Sequence, residues 1–226
     1  MKKTSHILMA SLLMGFLLAS CSSNRGFVST VKRSEIKQVQ QFEPLALVGV
    51  IFDGDRIAYS DTLTMVAQGL FETALSKDET LPVTGKMDID DKDISSRVEY
   101  EIYQMMNLIE GRTRVKDISI PPTIDSILEA HNERFGLLAY SRGFVRTEGN
   151  YDAAFGKGAA MTLLTLGSYS VIPHKYETHG GVIIVDSQND NIAYVTTGGF
   201  EYHPLKAETY KKLMIELVRV FRKRYS

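Results

Sequence analysis

Residues 45–76, "LALVGVIFDGDRIAYSDTLTMVAQGLFETALS", change their hydrophobic period once, and that change decides the fold class. Leu45 to Phe52 is an unbroken apolar run between Pro44 and the turn Asp53-Gly54-Asp55, the pattern of a strand buried on both faces. From about Asp61 to Ser76 the apolar residues recur at helical spacing instead. Leu63, Val66, Ala67, Leu70, Phe71 and Ala74 make one stripe, with Ser60 or Asp61 placed to cap the free amides. A short strand near Leu81 to Met87 follows, so the order strand, helix, strand opens a βαβ-like unit.

The same reading extends along the chain. Ser96 and Glu99 match a capping box, followed by a stripe of Val98, Ile102, Met105, Met106 and Ile109 and a stop at Gly111. Pro121 and Pro122 precede a short helix from about Thr123 to Arg134, and Leu137 to Thr147 reads as a strand. Asp152 to Leu166 is apolar around much of its circumference, which predicts a buried helix. Residues 180–199, "GGVIIVDSQNDNIAYVTTGG", predict a hairpin around a Ser187–Asp190 turn. A closing helix from about Leu205 to Arg224 turns Tyr210, Leu213, Met214, Leu217, Val218 and Phe221 inward. The expected fold is α/β: one domain, a mixed sheet with helices on its faces, and a C-terminal amphipathic helix.

With 226 residues, 44% of them hydrophobic, the chain can bury a core without disulfides or metal. A net charge of −1 argues against a nucleic-acid partner, which requires a basic excess to displace counterions. A single cysteine excludes a disulfide framework and a cysteine-rich zinc site. That cysteine stands in "GFLLASCSSN", residues 15–24, after Lys2, Lys3 and an uncharged run from Ile7 to Ser20. The layout is that of a secretory signal, too short for a convincing membrane span.

Leu18, Ala19, Ser20 and Cys21 resemble the lipobox of bacterial lipoproteins. The resemblance implies diacylglycerol on the Cys21 thiol, cleavage just before it, and acylation of the new amine, as by palmitate. It divides the chain into a signal peptide (1–20), a lipid-anchored tether (21–43) and an α/β periplasmic domain (44–226). Val31, Ile36 and Val39 could fold part of the tether back on the domain. Ser22 stands where some Gram-negative lipoproteins carry an inner-membrane retention Asp, so the expected location is the outer membrane, facing the periplasm.

The body resembles the small α/β domain of envelope lipoproteins of the curli-secretion-channel and peptidoglycan-synthase-activator type, and the N-terminal domain of the Tol-system propeller protein. The matching residues are "ALVGVIFDG", "DTLTMVAQGLFETALS", "VIIVDSQNDNIAY" and the closing helix, within residues 45–224. The resemblance implies a non-enzymatic accessory role with an envelope protein as partner. The chain departs from the channel family in lacking alternating strands long enough for a transmembrane barrel.

Several residues invite a chemical reading. "AYSRG", Ala139 to Gly143, is one residue from a nucleophile elbow, but Ser141 lies within a strand pattern and not on a sharp strand-to-helix turn. His174, His179 and His203, with Glu177 and Asp186, lack the helical register of a zinc motif. "DIDDKD", Asp88 to Asp93, lacks the Gly and Glu that complete a calcium loop and reads as a solvated acidic turn. Gly156 and Gly158 match no phosphate loop and read as sites of close helix approach. The cations of the last helix fit a solvated face, and the uncharged run from Gly158 to Ile172 fits core better than membrane. No catalytic residue, metal or cofactor is therefore assigned. The expected function is a lipid-anchored binding or assembly module. The alternatives are a periplasmic hydrolase using Ser141 or the late histidines, and a ring-forming secretion lipoprotein.

Overall fold

The computed structural model describes residues 28–111, 115, 117–166, 168 and 172–222. Cys21, Leu18, Ala19 and Ser20 lie outside the described residues. Eight strands form one sheet: β1 (Val28–Ser29), β2 (Val39–Gln41), β3 (Leu45–Asp53), β4 (Arg56–Tyr59), β5 (Val83–Lys86), β6 (Phe135–Arg146), β7 (Tyr176–Asp186) and β8 (Asn191–Phe200). The helices are α1 (Asp61–Ser76), α2 (Lys92–Gly111), α3 (Pro122–Ala130), α4 (Glu148–Leu164) and α5 (Ala207–Arg222).

The long strand β6 is the spine. On one side it pairs antiparallel with β7, which pairs with β8, which pairs with β1. On the other side β2 and then β3 run parallel to it, end to end, at Gly136–Leu137 and Tyr140–Arg146. Pro44 lies in the break between them, where a residue without an N–H cannot continue the ladder. β5 joins β2 in parallel and β4 folds back on β3.

Alternation along the inner strands supplies both faces at once. Leu137, Ala139, Val182 and Ile184 turn to one core with α1 and α5; Leu138, Tyr140, Ile183 and Val185 turn to the other with α2 and α3. Gly180 brings α5 close, since a Cβ there would lie 2.7 Å from the Leu213 side chain. The expected mixed α/β sheet with helices on its faces and an amphipathic final helix is the observed architecture.

The ends of the elements differ from expectation in instructive ways. The segment expected to be a tether through residue 43 enters the domain earlier: β1 and β2 are sheet strands, and Ile36, Val39 and Phe42 are buried. Arg33 fixes this segment by donating to the carbonyl oxygen of Phe221 at 2.8 Å while lying over its ring. The bond ties this segment to the last turn of α5. α2 begins a turn before the expected capping box, because the Asp91 carboxylate accepts from the amides of Asp93 and Ile94. α3 starts at Pro122, and the Glu101 carboxylate caps it by accepting from Thr123 and Ile124.

The largest departure is α4. Its sequence predicts burial, yet Asn150 is its one buried residue. Neither core cluster contains any residue of this helix. Leu163 and Leu164 are 78% and 79% exposed, and Leu166 just beyond is 95% exposed. Gly156, expected at a close helix contact, has no atom within 4 Å of a built Cβ.

Candidate functional site

The residues with catalytic potential are each occupied by the fold. Ser141 is 2% exposed within β6 and lies beside the Tyr210 hydroxyl of α5. Burial pushes the Tyr210 phenol up to about 12, with the nearby Ser141 hydroxyl acting the other way. Ser141 pairs across the ladder with Gly180, and His179 with Arg142, so alternation sends Ser141 and His179 to opposite faces. His179 Nε2 is 2.5 Å from Glu177 Oε1, and His174 Nδ1 is 3.0 Å from Glu201. A serine nucleophile with a histidine base is not assembled from these groups.

His203 serves the start of α5. Its carbonyl accepts from the Thr209 hydroxyl at 2.8 Å, and its Nδ1 accepts from the Leu205 amide. It lies on a small polar cleft of about 140 Å³ with Tyr176, Tyr202, Lys206 and Lys212. Burial, then the charges of Lys206 and Lys175, hold its pKa below the ordinary histidine value.

Asp186 sits at the opposite end of β7 from the histidines. Arg134 donates to both its oxygens, at 2.9 and 2.7 Å, and Asn189 adds a bond at 2.7 Å. Burial works against the charge on Asp186. The Arg134 and Asn189 hydrogen bonds, with the guanidinium charge and the Gln188 amide, outweigh it and hold the carboxyl below its usual range. This carboxylate organises the hairpin turn. Among the described residues, no three His, Cys, Asp or Glu side chains gather as a metal site.

What the fold leaves free is the apolar surface of α4. Its base is rigid. Arg146 Nη1 donates to Asn150 Oδ1 at 2.8 Å and to the Gly54 carbonyl at 3.2 Å, Nε reaches the His174 carbonyl, and Nη2 bonds Asp55. Asn150 Nδ2 donates to the same Gly54 carbonyl at 2.9 Å. One arginine thus joins the β3–β4 turn, the first turn of α4 and the segment entering β7. Beyond this knot Phe155, Met161, Leu163, Leu164 and Leu166 stand in solvent. With Ala159 and Ala160, the exposed apolar residues of the helix span about two-thirds of its circumference at 100° per residue. Seven of the 17 residues are glycine or alanine, which offer little side chain to pack. That composition was the sequence signal for exposure.

Among the described residues, no helix is long and apolar enough to cross a membrane. No known family matches the chain, and no curated protein does. Among solved structures the chain is similar to a PelC dodecamer from Paraburkholderia phytofirmans, with a TM-score of 0.40 and 7% identity over 87% of this chain and 95% of that one. A single-substitution variant of the same dodecamer gives a TM-score of 0.36 and 8% identity over 88% and 97%.

Proposed function

We propose that this chain is a lipid-anchored cell-envelope protein, a non-enzymatic binding or assembly module facing the periplasm from the outer membrane. The observation that carries this reading is the sequence around Cys21: a basic start, an uncharged apolar run, then Leu18-Ala19-Ser20 and a lone cysteine. The occupied state of Ser141, Asp186 and His203 supports the non-enzymatic part, since each of these groups already holds the fold.

Fatty-acid labelling of the wild type against Cys21→Ala tests the anchor. Label is expected on the wild type and absent from the variant; an unlabelled wild type overturns the reading. The accessory role is tested by in-cell crosslinking from exposed positions on α1 and α2, such as Met65 and Tyr100, followed by mass spectrometry. A specific envelope protein is expected. Capture of bulk lipid and abundant porins alone would remove the assembly role and leave the anchor standing.

A further inference from the structure

We propose that α4 is a second membrane contact, its apolar far end seated in the interfacial layer of the same bilayer that holds the Cys21 acyl chains. The inference rests on the anchored reading above and adds to it an orientation. Two independent features of the fold place the anchor and the helix at one end of the sheet.

The first is the direction of β1. Val28 pairs with Val195 and Ser29 with Tyr194, so the chain enters the sheet travelling toward Asn191 and comes from the Phe200 end of β8. From Val195 to Phe200 is five residues, about 17 Å of strand. Cys21 stands seven positions before Val28, a reach of about 23 Å, enough to pass that end by only a few ångströms. Reversing direction uses a turn of about four residues. The three residues left then reach about 10 Å, short of the roughly 14 Å back to Asn191. A bilayer holding Cys21 is therefore out of reach at the Asn191 end and lies nearer the end of the sheet where β8 finishes.

The second feature is where α4 is attached. β6 ends at Arg146, β7 begins at Tyr176 and β3 ends at Asp53, and the ladder pairs all three at this same end. α4 starts directly after Arg146, and its return segment arrives at Lys175. The helix that leaves the domain beside the anchor is the one whose exposed apolar residues span about two-thirds of its circumference. A single protein groove covers one stripe of a helix; so wide an apolar face calls for an apolar medium. Residues 158–166 carry no charge, and no helix among the described residues is long and apolar enough to span.

Residues around the base fit the same geometry. Tyr151 lies beneath the Lys175 ammonium at 5.7 Å and Tyr202 beneath Lys212 at 4.4 Å, amphipathic rings of the kind that settle at headgroup depth. Charges there are of both signs, with Asp55, Glu177 and Glu201 set against Arg146, Lys175 and Lys212. Attraction to the bilayer is thus apolar, and salt is expected to leave it unchanged.

The chain contains no tryptophan, so Leu164→Trp introduces a unique fluorophore at a position 79% exposed. The full-length lipidated variant is reconstituted into phosphatidylcholine vesicles with or without lipids brominated near the headgroup. Gln188→Trp, in the turn at the opposite end of the sheet, is the control, since only its backbone amide serves Asp186, and thermal melts matching wild type establish that both variants fold. Expected are a blue-shifted emission and bromolipid quenching for Leu164→Trp, unchanged in high salt, and neither effect for Gln188→Trp. An emission typical of water overturns the proposal. So does a blue shift without quenching, which would show that protein, a second copy included, covers the helix. Vesicle co-flotation reports the anchor separately: protein that floats without quenching refutes the helix contact alone, and protein that does not float refutes the anchor.

Discussion

α4 and α5 are helices of nearly equal length, 17 and 16 residues, with opposite fates. α5 carries six charged residues and α4 three, yet α5 is a pillar of the core and α4 has no place in it. The difference is angular. In α5 the charges keep to one side while Tyr210, Leu213, Met214, Leu217, Val218 and Phe221 form an unbroken buried stripe against β7, β8 and α1. In α4 the apolar residues are scattered around the axis and separated by glycine and alanine, so no single face repays docking. Apolar content states how much surface a helix would hide; its distribution states whether a neighbouring sheet can hide it.

The contrast can be broken most directly by truncating leucines. Leu213→Ala in α5, fully buried over Gly180, is expected to destabilise the protein by about 3–4 kcal/mol in urea unfolding. A loss below 1 kcal/mol would mean that α5 does not hold the core as described. The hairpin on which α5 lies is pinned by Arg134. Arg134→Ala leaves the Asp186 carboxylate buried without its partner, an expected cost of about 3 kcal/mol at neutral pH. Because the folded Asp186 carboxyl titrates below its unfolded value, the wild-type contribution is complete above the ordinary carboxylate pKa of about 4 and is lost as pH falls through the lower, folded value. The gap between wild type and Arg134→Ala is therefore expected to narrow on acidification, read by urea titrations at pH 7 and below pH 4.

Arg33→Ala removes a charged donor from the Phe221 carbonyl and the stacking on its ring. About 2 kcal/mol is the expected loss, with hydrogen exchange rising in residues 30–42 and in the last turn of α5. Smallest of all should be Leu163→Ala and Leu164→Ala. In water each is expected to shift stability by no more than about 0.5 kcal/mol in either direction, because neither leucine is packed. A loss near that of Leu213→Ala would place α4 in the core after all and remove the contrast.

Much of this was legible in the linear chain. β3 and α1 follow the boundaries their periodicity predicts, and the β7–β8 turn is the four residues Ser187–Asp190, with Asp190 at a φ of 44°. Each of these segments carries its own signal: a period, a cap or a turn residue. β4 was missed because all four of its residues are exposed, so no buried face imposes alternation. β2 was missed for another reason. Three residues carry no period, and Gln41 is buried only because β5 and β6 flank it. Ser141 shows the same limit at the candidate site, since "AYSRG" does not reveal that the serine faces Tyr210 while His179 takes the other side.

From the chain alone came the class of fold, the identity of most elements and the inward stripe of α5, all local properties of spacing and composition. Only the tertiary structure decided that α4 is left outside. Burial is a competition for finite area, and both faces of the sheet are taken, one by α1 and α5, the other by α2 and α3. An apolar helix finding both layers filled stays outside the core however strongly its residues prefer to leave water.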